Sequence, residues 1–481
     1  MIEKRQFYID GTWVDPVVSN DHVVINPATE EACAIVSMGG QGDTDAAVAA
    51  AKAAFPDWMA TPLSKRIELV ENLLAIYTRR SDELGAAISL EIGAPIDLAQ
   101  SNHIRGGARH MTHYLNAARN LEMLRPLGDH APNDQIAKEP IGVCALITPW
   151  NWPLNQITLK VVAAAIAGCT MVLKPSEESP LNALLYAEMM DEAGFPKGVF
   201  NLVNGDGPGV GTQLSTHKDV DMVSLTGSPR AGKAISQAAA MTLKRVHLEL
   251  GGKGANIVFA DADAQAVERG VLDLMQNSGQ SCNAPSRMLV QRDIYDAAVA
   301  KAVEVAQNIK VDHPSKSGDH LGPVVNANQW HKIQDLIAIG EKTDGARLVA
   351  GGLGRPEGLN KGFYIRPTVF ADVRNDMTIA QQEIFGPVLA MLPFDTEEDA
   401  IQMANDTRYG LTNYVQTQDL TRAKRVAQAM RSGMVEINGH SRGGGAPFGG
   451  MKQSGNGREG GFWGIDDFLE TKSIAGWISD A

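Results

Sequence analysis

Residues 141–147 read Ile-Gly-Val-Cys-Ala-Leu-Ile, an apolar run of the length of a β-strand. The same theme recurs in the strand-like runs 170–173, 199–203 and 220–225 and in the helical stretches between them, 154–167, 180–193 and 229–240. Short, wholly apolar strands that alternate with helices indicate a parallel sheet covered on both faces. This part of the chain therefore predicts an α/β domain of the nucleotide-binding kind.

The alternation resumes after Gly251-Gly252, which predicts a second α/β domain from residue 252 onward. Its first elements are a strand at 256–260, a helix at 262–277, a strand at 288–291 and a helix at 295–308. Near the start of the chain, Asp10-Gly11 between two strand-like triplets predicts a hairpin, and residues 43–91 carry helical periodicity. The strand-like stretch 471–477 follows a turn-rich region, so we expect it to pair with another subunit or with a protruding hairpin.

Composition and charge narrow the class of protein. The chain has 481 residues, 44% of them hydrophobic, and a net charge of −13. An acidic surface repels phosphates, so no nucleic-acid partner is expected. The longest apolar run, residues 161–173, is shorter than the ~20 residues of a membrane span and is expected to be a buried helix running into a strand. No signal-peptide core is visible, so we expect a cytoplasmic protein with no membrane partner.

The four cysteines form no Cys-x-x-Cys pair and no Cys/His cluster with zinc spacing, so neither a disulfide framework nor a metal is expected. Cys33, Cys144 and Cys169 lie in apolar stretches and are expected to pack in the core. Cys282 instead lies in a loop among small polar residues. A loop cysteine is often only a small buried hydrophobe, but these neighbours leave the thiol reachable for reaction.

Two polar residues follow predicted strands, where sites of open α/β sheets form. Glu249 ends an apolar strand just before Gly251-Gly252, and is either a base with room to move or a surface residue of a turn; a core position is not expected. His247, on the same strand, is expected to point to the opposite face. Asn151 lies within Pro-Trp-Asn-Trp-Pro, and is either a rigid amide donor for an oxyanion hole or a structural turn residue.

Together these motifs resemble the aldehyde dehydrogenase superfamily, from Asn26-Pro27-Ala28-Thr29 to the Pro447-Phe448-Gly449-Gly450 region. Cys282 lies 33 positions after Glu249, as the family pattern requires. The resemblance implies a Rossmann-like NAD-binding domain, a second α/β catalytic domain and a small β oligomerisation arm. The expected bounds are 1–121 with 141–251 for the NAD-binding domain, 252–452 for the catalytic domain, and 122–140 with 466–481 for the arm.

The resemblance also implies a reaction, the oxidation of an aldehyde to the acid. Cys282 is expected to be the nucleophile, Asn151 the oxyanion donor, and Glu249 the base that hydrolyses the thioester. Lys160 and Glu459 match a buried pair of the family that relays protons from Glu249, although a plain ion pair is an equal expectation. An acylating enzyme that forms a coenzyme A ester, a thioester hydrolase and a non-catalytic structural relative stay open as alternatives.

The resemblance assigns cofactor contacts to seven residues: Trp150, Lys174, Glu177, Gly227, Ser228, Glu383 and Phe385. Glu177 is expected to accept from a ribose 2′-hydroxyl and to repel a 2′-phosphate, which favours NAD while leaving NADP possible. Ser228 and Pro229 suit the start of a helix that binds phosphate. The glycines alternate at 205, 207, 209 and 211 in place of the usual fingerprint, and they serve either this site or only a turn.

The resemblance also assigns residues to a substrate tunnel. The expected tunnel consists of Trp152, Gln156, Leu159, Ser281, Asn283, His440, Phe448 and the glycines 443–445. Several family members carry aromatic rings where this chain has Leu159 and Gly443, which favours bulky or extended aldehydes. No arginine is evidently placed to hold a carboxylate, which disfavours acidic semialdehydes. A homodimer or homotetramer is expected from the family alone.

Overall fold

Strands and helices alternate along most of the chain in the computed structural model, which describes residues 1–477. The strands are β1 (Ile2–Lys4), β2 (Phe7–Ile9), β3 (Thr12–Val14), β4 (Asp21–Asn26), β5 (Glu31–Ser37), β6 (Leu124–Pro126), β7 (Gln135–Pro140), β8 (Val143–Ile147), β9 (Thr170–Lys174), β10 (Phe200–Leu202), β11 (Met222–Thr226), β12 (Arg245–Glu249), β13 (Ala255–Val258), β14 (Arg287–Gln291), β15 (Arg347–Ala350), β16 (Thr368–Ala371), β17 (Val388–Phe394), β18 (Thr412–Gln416), β19 (Met434–Ile437) and β20 (Leu469–Ile474). The helices are α1 (Gln41–Ala60), α2 (Leu63–Arg79), α3 (Ser81–Ile92), α4 (Ile96–Leu98), α5 (Arg105–Ala118), α6 (Pro153–Ala167), α7 (Pro180–Glu192), α8 (Thr212–Thr216), α9 (Pro229–Ala239), α10 (Ala266–Met275), α11 (Tyr295–Asn308), α12 (Ala327–Lys342), α13 (Thr378–Gln381), α14 (Glu397–Asn405), α15 (Leu420–Ala429) and α16 (Gly461–Asp466).

Two seven-stranded sheets organise these elements. The first has the order β12-β11-β8-β9-β10-β2-β3, in which β12 to β10 are parallel and the hairpin β2-β3 is antiparallel. The second has the order β15-β16-β17-β14-β13-β18-β19 and is parallel except for β15. Two three-stranded sheets, β1-β5-β4 and β20-β7-β6, complete the set. The predicted α/β fold is confirmed, whereas the exact domain bounds stay a prediction.

The apolar run 161–173 is the end of a buried helix followed by a strand, as expected. Pro153 starts α6, since its fixed φ and missing N–H suit a first helical turn. Gly168 ends the helix at φ 96°, a left-handed conformation that glycine adopts without strain. The chain then enters β9, whose five residues are all buried. In the same region the predicted strands β8, β10 and β11 are confirmed with ends shifted by one or two residues.

The predicted hairpin near the start of the chain is confirmed. Asp10 and Gly11 both have positive φ, 51° and 71°, as a tight two-residue turn between twisted strands requires. Tyr8 pairs antiparallel with Leu202, which attaches the hairpin to the edge of the first sheet.

The C-terminal strand pairs with a protruding hairpin of its own chain, one of the two partners expected for it. β20 runs antiparallel to β7, with Leu469 opposite Pro140 and Ile474 opposite Gln135. It ends at Ile474, three residues before the expected limit, although Trp477 N still donates to the Asn133 carbonyl at 2.7 Å. Residues 478–481 of the predicted arm lie outside the described residues.

The helix predicted over 262–277 is shorter than expected. It begins at Ala266 and ends at Met275, and Asn277 and Ser278 follow with φ of 53° and 57°. Asparagine, and to a lesser degree serine, tolerates this left-handed conformation because its side chain can hydrogen-bond locally. The chain therefore turns sharply here and enters the loop that carries Cys282.

The described part of the chain, residues 1–477, includes no helix that is long and apolar enough to cross a membrane. Cys144 and Cys169 are fully buried, as predicted, and Cys33 lies half-buried at the margin of the same core.

Glu91 provides a test of what holds the first domain together. This buried carboxylate accepts the backbone N–H groups of Leu181 and Asn182 at 2.7 and 3.1 Å, at the start of α7. Because Glu91→Ala leaves both donors buried and unpaired, we expect it to destabilise the protein by at least about 2 kcal/mol in chemical unfolding. Glu83→Ala, on the exposed side of the same helix, is the control and should cost less than about 1 kcal/mol. Equal effects of the two variants would contradict this account.

Candidate active site

The loop that carries Cys282 is held by close backbone packing on both sides. Gly279 has φ 73°, and a Cβ added to it would lie 2.1 Å from the carbonyl oxygen of Gly386. A Cβ added to Gly252 would lie 2.3 Å from the carbonyl oxygen of Cys282. Since real Cβ contacts are never this short, only glycine fits at either position. The Gly251-Gly252 pair therefore packs directly on the cysteine.

The thiol of Cys282 is half-buried and surrounded by carboxylates. Burial raises the pKa of Cys282 well above its usual value, and the negative charges of Glu383, Glu249 and Glu459 raise it further. A reactive thiolate consequently needs positive charge or a base brought to the site. The predicted reachability of the thiol is consistent with its partial exposure.

Asn151 ties the first sheet to this loop. Its side-chain Nδ2 donates to the carbonyl oxygen of Gln280 at 3.0 Å, and the side chain of Asn277 donates to the carbonyl of Asn151 at 2.8 Å. Trp152 Nε1 donates to Ser281 Oγ at 2.8 Å. The bond to Gln280 uses one of the two amide hydrogens of Asn151, which leaves the other for a ligand. Asn151, which lies in the loop after β8, is thus bonded to the residue two positions before Cys282.

Glu249 is buried, contrary to the expectation that a carboxylate there would not fit a core. It is 2% exposed, and neither carboxylate oxygen has a hydrogen-bond partner among residues 1–477. A Cβ added to Gly449 would lie 2.5 Å from Glu249 Oε1, so a glycine makes room for the carboxylate. Burial raises the pKa of Glu249 well above its usual value, and the charge of Glu459 adds to the effect. A buried carboxylate without partners is costly and marks a functional site.

Lys160 and Glu459 form a buried ion pair, with Nζ 2.7 Å from Oε1. Lys160 also donates to Ser224 Oγ at 3.0 Å. The structure therefore brings together the pair that the resemblance implied, beside Glu249.

His247 shares a face with Glu249, so the prediction of opposite faces was wrong. The two residues are two positions apart on β12, and alternate side chains of a strand lie on the same side. Both are buried, whereas Val246 and Leu248 between and beside them are only partly so.

Several of the predicted cofactor residues follow the carboxyl ends of strands in the first sheet, where the strand order reverses. From β8 the chain proceeds to β9 and β10 on one side, and then to β11 and β12 on the other. Such a reversal of strand order opens a crevice where open α/β sheets bind dinucleotides. Trp150 follows β8, and Gly227 and Ser228 follow β11.

The contacts of the predicted residues on the far side from the cysteine are compatible with a dinucleotide. Ser228 caps α9 by accepting from Ala231 N at 3.2 Å, so the free N–H groups of a helix start face the crevice region. Lys174 Nζ donates to the carbonyl of Gly205 at 2.6 Å and lies 3.7 Å from Glu177 Oε2. Burial lowers the pKa of Lys174. Gly205, which accepts from Lys174, is the first of the alternating glycines at 205, 207, 209 and 211.

On the side towards the cysteine, two aromatic rings and a carboxylate line the crevice. The rings of Trp150 and Phe385 meet edge to face, with centroids 5.6 Å apart. Glu383 Oε1 accepts Gly252 N at 2.9 Å, and its Oε2 lies so close to Gly251 that a Cβ there would be 2.2 Å away. The Glu-Ile-Phe segment, residues 383–385, therefore sits against the same glycine pair that packs on Cys282.

Comparison with known proteins identifies the family. The model of the aldehyde dehydrogenase family matches residues 13–474. The chain belongs to the aldehyde dehydrogenase family. A 3-succinoylsemialdehyde-pyridine dehydrogenase of Pseudomonas sp. is 49% identical over 99% of both chains. The crystal structure of an aldehyde dehydrogenase from Bartonella henselae has a TM-score of 0.98 at 54% identity, covering 99% of this chain and 100% of the other.

A third relative was crystallised with ligands. Aldehyde dehydrogenase C of Pseudomonas syringae, as a cysteine-to-alanine variant with NAD+ and octanal, has a TM-score of 0.97 at 48% identity, covering 99% of this chain and 98% of the other. The resemblance inferred from the motifs is thus confirmed for the whole chain.

In this aldehyde dehydrogenase the predicted tunnel residues differ in their contacts and in their exposure. Trp152 stacks on His103, with ring centroids 4.2 Å apart, and bonds Ser281. Gln156 and Leu159 lie one turn apart on α6 and are buried. The remaining members differ in exposure: Phe448 and Asn283 are half-buried and His440 is exposed.

Arg442 lies against a predicted tunnel residue, Phe448, and is not among the residues predicted from the sequence. Its guanidinium carbon lies 4.9 Å from the centre of the Phe448 ring, and its Nε donates to Glu436 at 2.8 Å. The only sequence signal was its place between His440 and the predicted glycines. Because the charge is already paired, a substrate carboxylate would have to compete with Glu436 for it.

Asn277 and Gln280 were also passed over as site residues. The sequence analysis predicts Asn277 as the end of a helix, although Asn-Ser-Gly is a sequence that tolerates left-handed backbone. Gln280 Oε1 also accepts Val325 N at 3.0 Å, which anchors the loop on its far side.

The carboxylates around Cys282 generate a prediction about its reactivity. Since the charge of Glu249 raises the pKa of the thiol, Glu249→Gln should lower that pKa and increase the rate of alkylation of Cys282 at neutral pH. The rate should be followed against pH by peptide mass spectrometry, with Cys33 as the internal reference. An unchanged or slower rate at Cys282 in the variant would contradict the electrostatic account.

Proposed function

We propose that this aldehyde dehydrogenase oxidises an aldehyde to the carboxylic acid through a thioester on Cys282. The observation that carries the proposal is the bond from Asn151 Nδ2 to the Gln280 carbonyl, because it places an amide donor beside the cysteine loop. The buried, unpartnered carboxylate of Glu249 supports it, since such a group is suited to take a proton.

The residues divide the chemistry into two steps. The Cys282 thiolate adds to the aldehyde carbon, and the free hydrogen of the Asn151 amide and the Cys282 backbone N–H hold the resulting oxyanion. Loss of hydride from this adduct leaves the thioester. Glu249 then removes a proton from the water that hydrolyses it, which regenerates the thiol. Its raised pKa makes this carboxylate a stronger proton acceptor than an exposed glutamate.

NAD+ is the cofactor, with which relatives have been crystallised, and it supplies the acceptor for the hydride when it is bound. In this chain Ser228 and the start of α9 would hold phosphate, and Lys174 and Glu177 the adenosine ribose. Glu383 would hold the second ribose, near the Trp150–Phe385 ring pair. Glu177 is partly exposed and would repel a 2′-phosphate, which favours NAD over NADP.

The alternatives are separated by the fate of the thioester. Transfer to coenzyme A needs no hydrolytic base, yet Glu249 is present and buried. A thioester hydrolase would have no use for a dinucleotide crevice. A non-catalytic relative would not need the buried carboxylate, which costs stability.

For the substrate we propose bulky or extended aldehydes without a nearby carboxylate. Leu159 and Gly443 leave the tunnel free of aromatic rings at two positions, and Arg442 is neutralised by Glu436. Relatives crystallised with octanal or named for a pyridine-bearing semialdehyde agree with this class.

We propose further that the protein acts in the cytoplasm as a homodimer or homotetramer, with the three domains in the bounds given above. Met241 and Leu243, beside the edge strand β12, are 85% and 92% exposed, which is costly unless a second subunit covers them. Light scattering should accordingly give at least twice the mass of one chain.

The proposed function is tested by NADH production from a panel of aliphatic, aromatic and acidic aldehydes. Cys282→Ala should abolish turnover, since no other residue forms the thioester, while Cys33→Ala should retain it. Turnover by Cys282→Ala would refute the role of the nucleophile. A preference for short acidic semialdehydes would refute the substrate class.

Glu249→Gln should separate the two steps. We expect one equivalent of NADH to form rapidly, followed by turnover slowed by about 10²–10⁴-fold, because the variant forms the thioester but cannot activate water. Intact-mass spectrometry should detect the acyl-enzyme. Addition of coenzyme A should not restore turnover; if it does, the acylating alternative is correct.

A further inference from the structure

A line of titratable side chains leads from Glu249 to the protein surface. The Glu459 carboxylate, whose charge acts on Glu249, lies 4.0 Å from His247 Nε2. The other ring nitrogen, His247 Nδ1, lies 3.1 Å from Asp467 Oδ2. Asp467 is 39% exposed at its side chain, whereas Glu459 and His247 are 2% and 3% exposed. The line therefore starts in the core and ends in solvent.

Glycines at the segment 455–457 create this line. Gly455 has φ 116° and approaches β12 so closely that a Cβ would lie 2.0 Å from the Leu248 carbonyl oxygen. A Cβ at Gly457 would lie 2.2 Å from the His247 ring. The backbone N–H groups of Asn456 and Gly457 both donate to the Leu248 carbonyl. The segment is thus laid flat along β12, and Glu459 follows it into place beside Glu249.

The imidazole of His247 is closely packed, but no well-aligned hydrogen bond fixes its tautomer. Neither ring nitrogen has a well-aligned hydrogen bond among the described residues. Phe468 covers one side, with ring centroids 6.4 Å apart. The titratable groups around this part of the site include Glu249, Glu459, Asp467, Lys160, Arg458, Arg245, His110 and Tyr114. Burial alone would raise the pKa of Asp467, but the interaction with His247 lowers it below its usual value.

The Lys160–Glu459 pair alone has no exit. Lys160 is fully buried, and its second partner, Ser224 Oγ, is fully buried in the middle of the first sheet. A proton on Glu459 can reach solvent only through a neighbour that accepts it on one side and releases it on the other. Imidazole does this because its two nitrogens exchange roles between tautomers.

We propose that His247 and Asp467 carry to solvent the proton that Glu249 removes from the hydrolytic water; the inference rests on the proposed role of Glu249. The proton passes from water to Glu249 and from there to Glu459. His247 accepts it at Nε2 and releases the Nδ1 proton to Asp467, which passes it to solvent. Glu249, Glu459 and Asp467 return to their starting states, whereas His247 is left with its proton on Nε2, so its starting tautomer has to be restored before the next turnover. A small shift of the ring or one water closes the 4.0 Å gap.

The decisive measurement compares the NADH burst with steady-state turnover in His247→Gln. Glutamine keeps polarity and bulk but cannot shuttle a proton. We expect a full burst with turnover slowed on the order of tenfold, less than the ~10²–10⁴-fold typical for losing a general base, because Glu249 remains. In His247→Ala, added imidazole should restore turnover in a concentration-dependent manner.

The controls separate a proton path from a packing role. Asp467→Asn keeps the shape of the exit, and it should slow turnover with a full burst even if the His247 variants fold poorly. His217→Gln is the matched control, since His217 is also largely buried and lies 3.4 Å from a carboxylate, that of Asp45, away from the site. It should leave both phases unchanged.

Each outcome decides the matter. Wild-type turnover in both His247→Gln and Asp467→Asn, with Glu249→Gln still blocked, overturns the proton path and leaves the proposed function standing. A burst that falls in parallel with turnover, without rescue by imidazole, shows that His247 only supports the fold and also overturns it. Unimpaired hydrolysis by Glu249→Gln refutes the proposed base itself.

Discussion

The hydrogen bond from Asn151 to the Gln280 carbonyl joins the two halves of the site, and the rest of the arrangement depends on it. Asn151 follows a strand of the first seven-stranded sheet, while Gln280 lies between α10 and β14, in the region of the second sheet. Neither sheet alone carries both the amide donor and the thiol. The bonds from Trp152 to Ser281 and from Asn277 to Asn151 join the same two loops. We call this contact between the loop after β8 and the cysteine loop the seam. The active site is therefore a property of the interface between the sheets.

Around this seam the protein accumulates buried negative charge, which ordinary packing would avoid. Glu249 and Glu459 are buried and Glu383 is partly buried, and each raises the pKa of Cys282. The compensating cations differ: Lys160 pairs directly with Glu459, while Glu249 has no hydrogen-bond partner among residues 1–477. Burial without a partner disfavours the charged form of a carboxylate, so Glu249 has the strongest tendency of the three to bind a proton. The proposed hydrolysis of a thioester assigns its base to this carboxylate.

Much of the fold was predictable, because the apolar runs alternate with helices at the periods that physics imposes on them. Cys282, Glu249 and Asn151 could be proposed as site residues because the order and spacing of motifs are visible in the sequence itself. The errors arose where a distant segment decides the outcome. Glu249 is buried only because glycine-rich backbone near residues 449–457 lies on β12. The position of Arg442 over Phe448 likewise depends on where a loop returns. The face of His247 was an avoidable error, since strand periodicity alone places it with Glu249.

Glycine makes the seam possible in the same way at several points. At Gly252, Gly279 and Gly449 a single methyl group would strike a carbonyl oxygen or a catalytic carboxylate. Their role is not flexibility in general, because only some of them have positive φ: Gly279 at 73° and Gly449 at 159°, but not Gly252. What they share is the closeness of approach, which brings backbone within contact of Cys282 and Glu249. The backbone of Cys282 and the carboxylate of Glu249 are each held against bare glycine backbone, so these glycines determine where the two residues lie relative to one another.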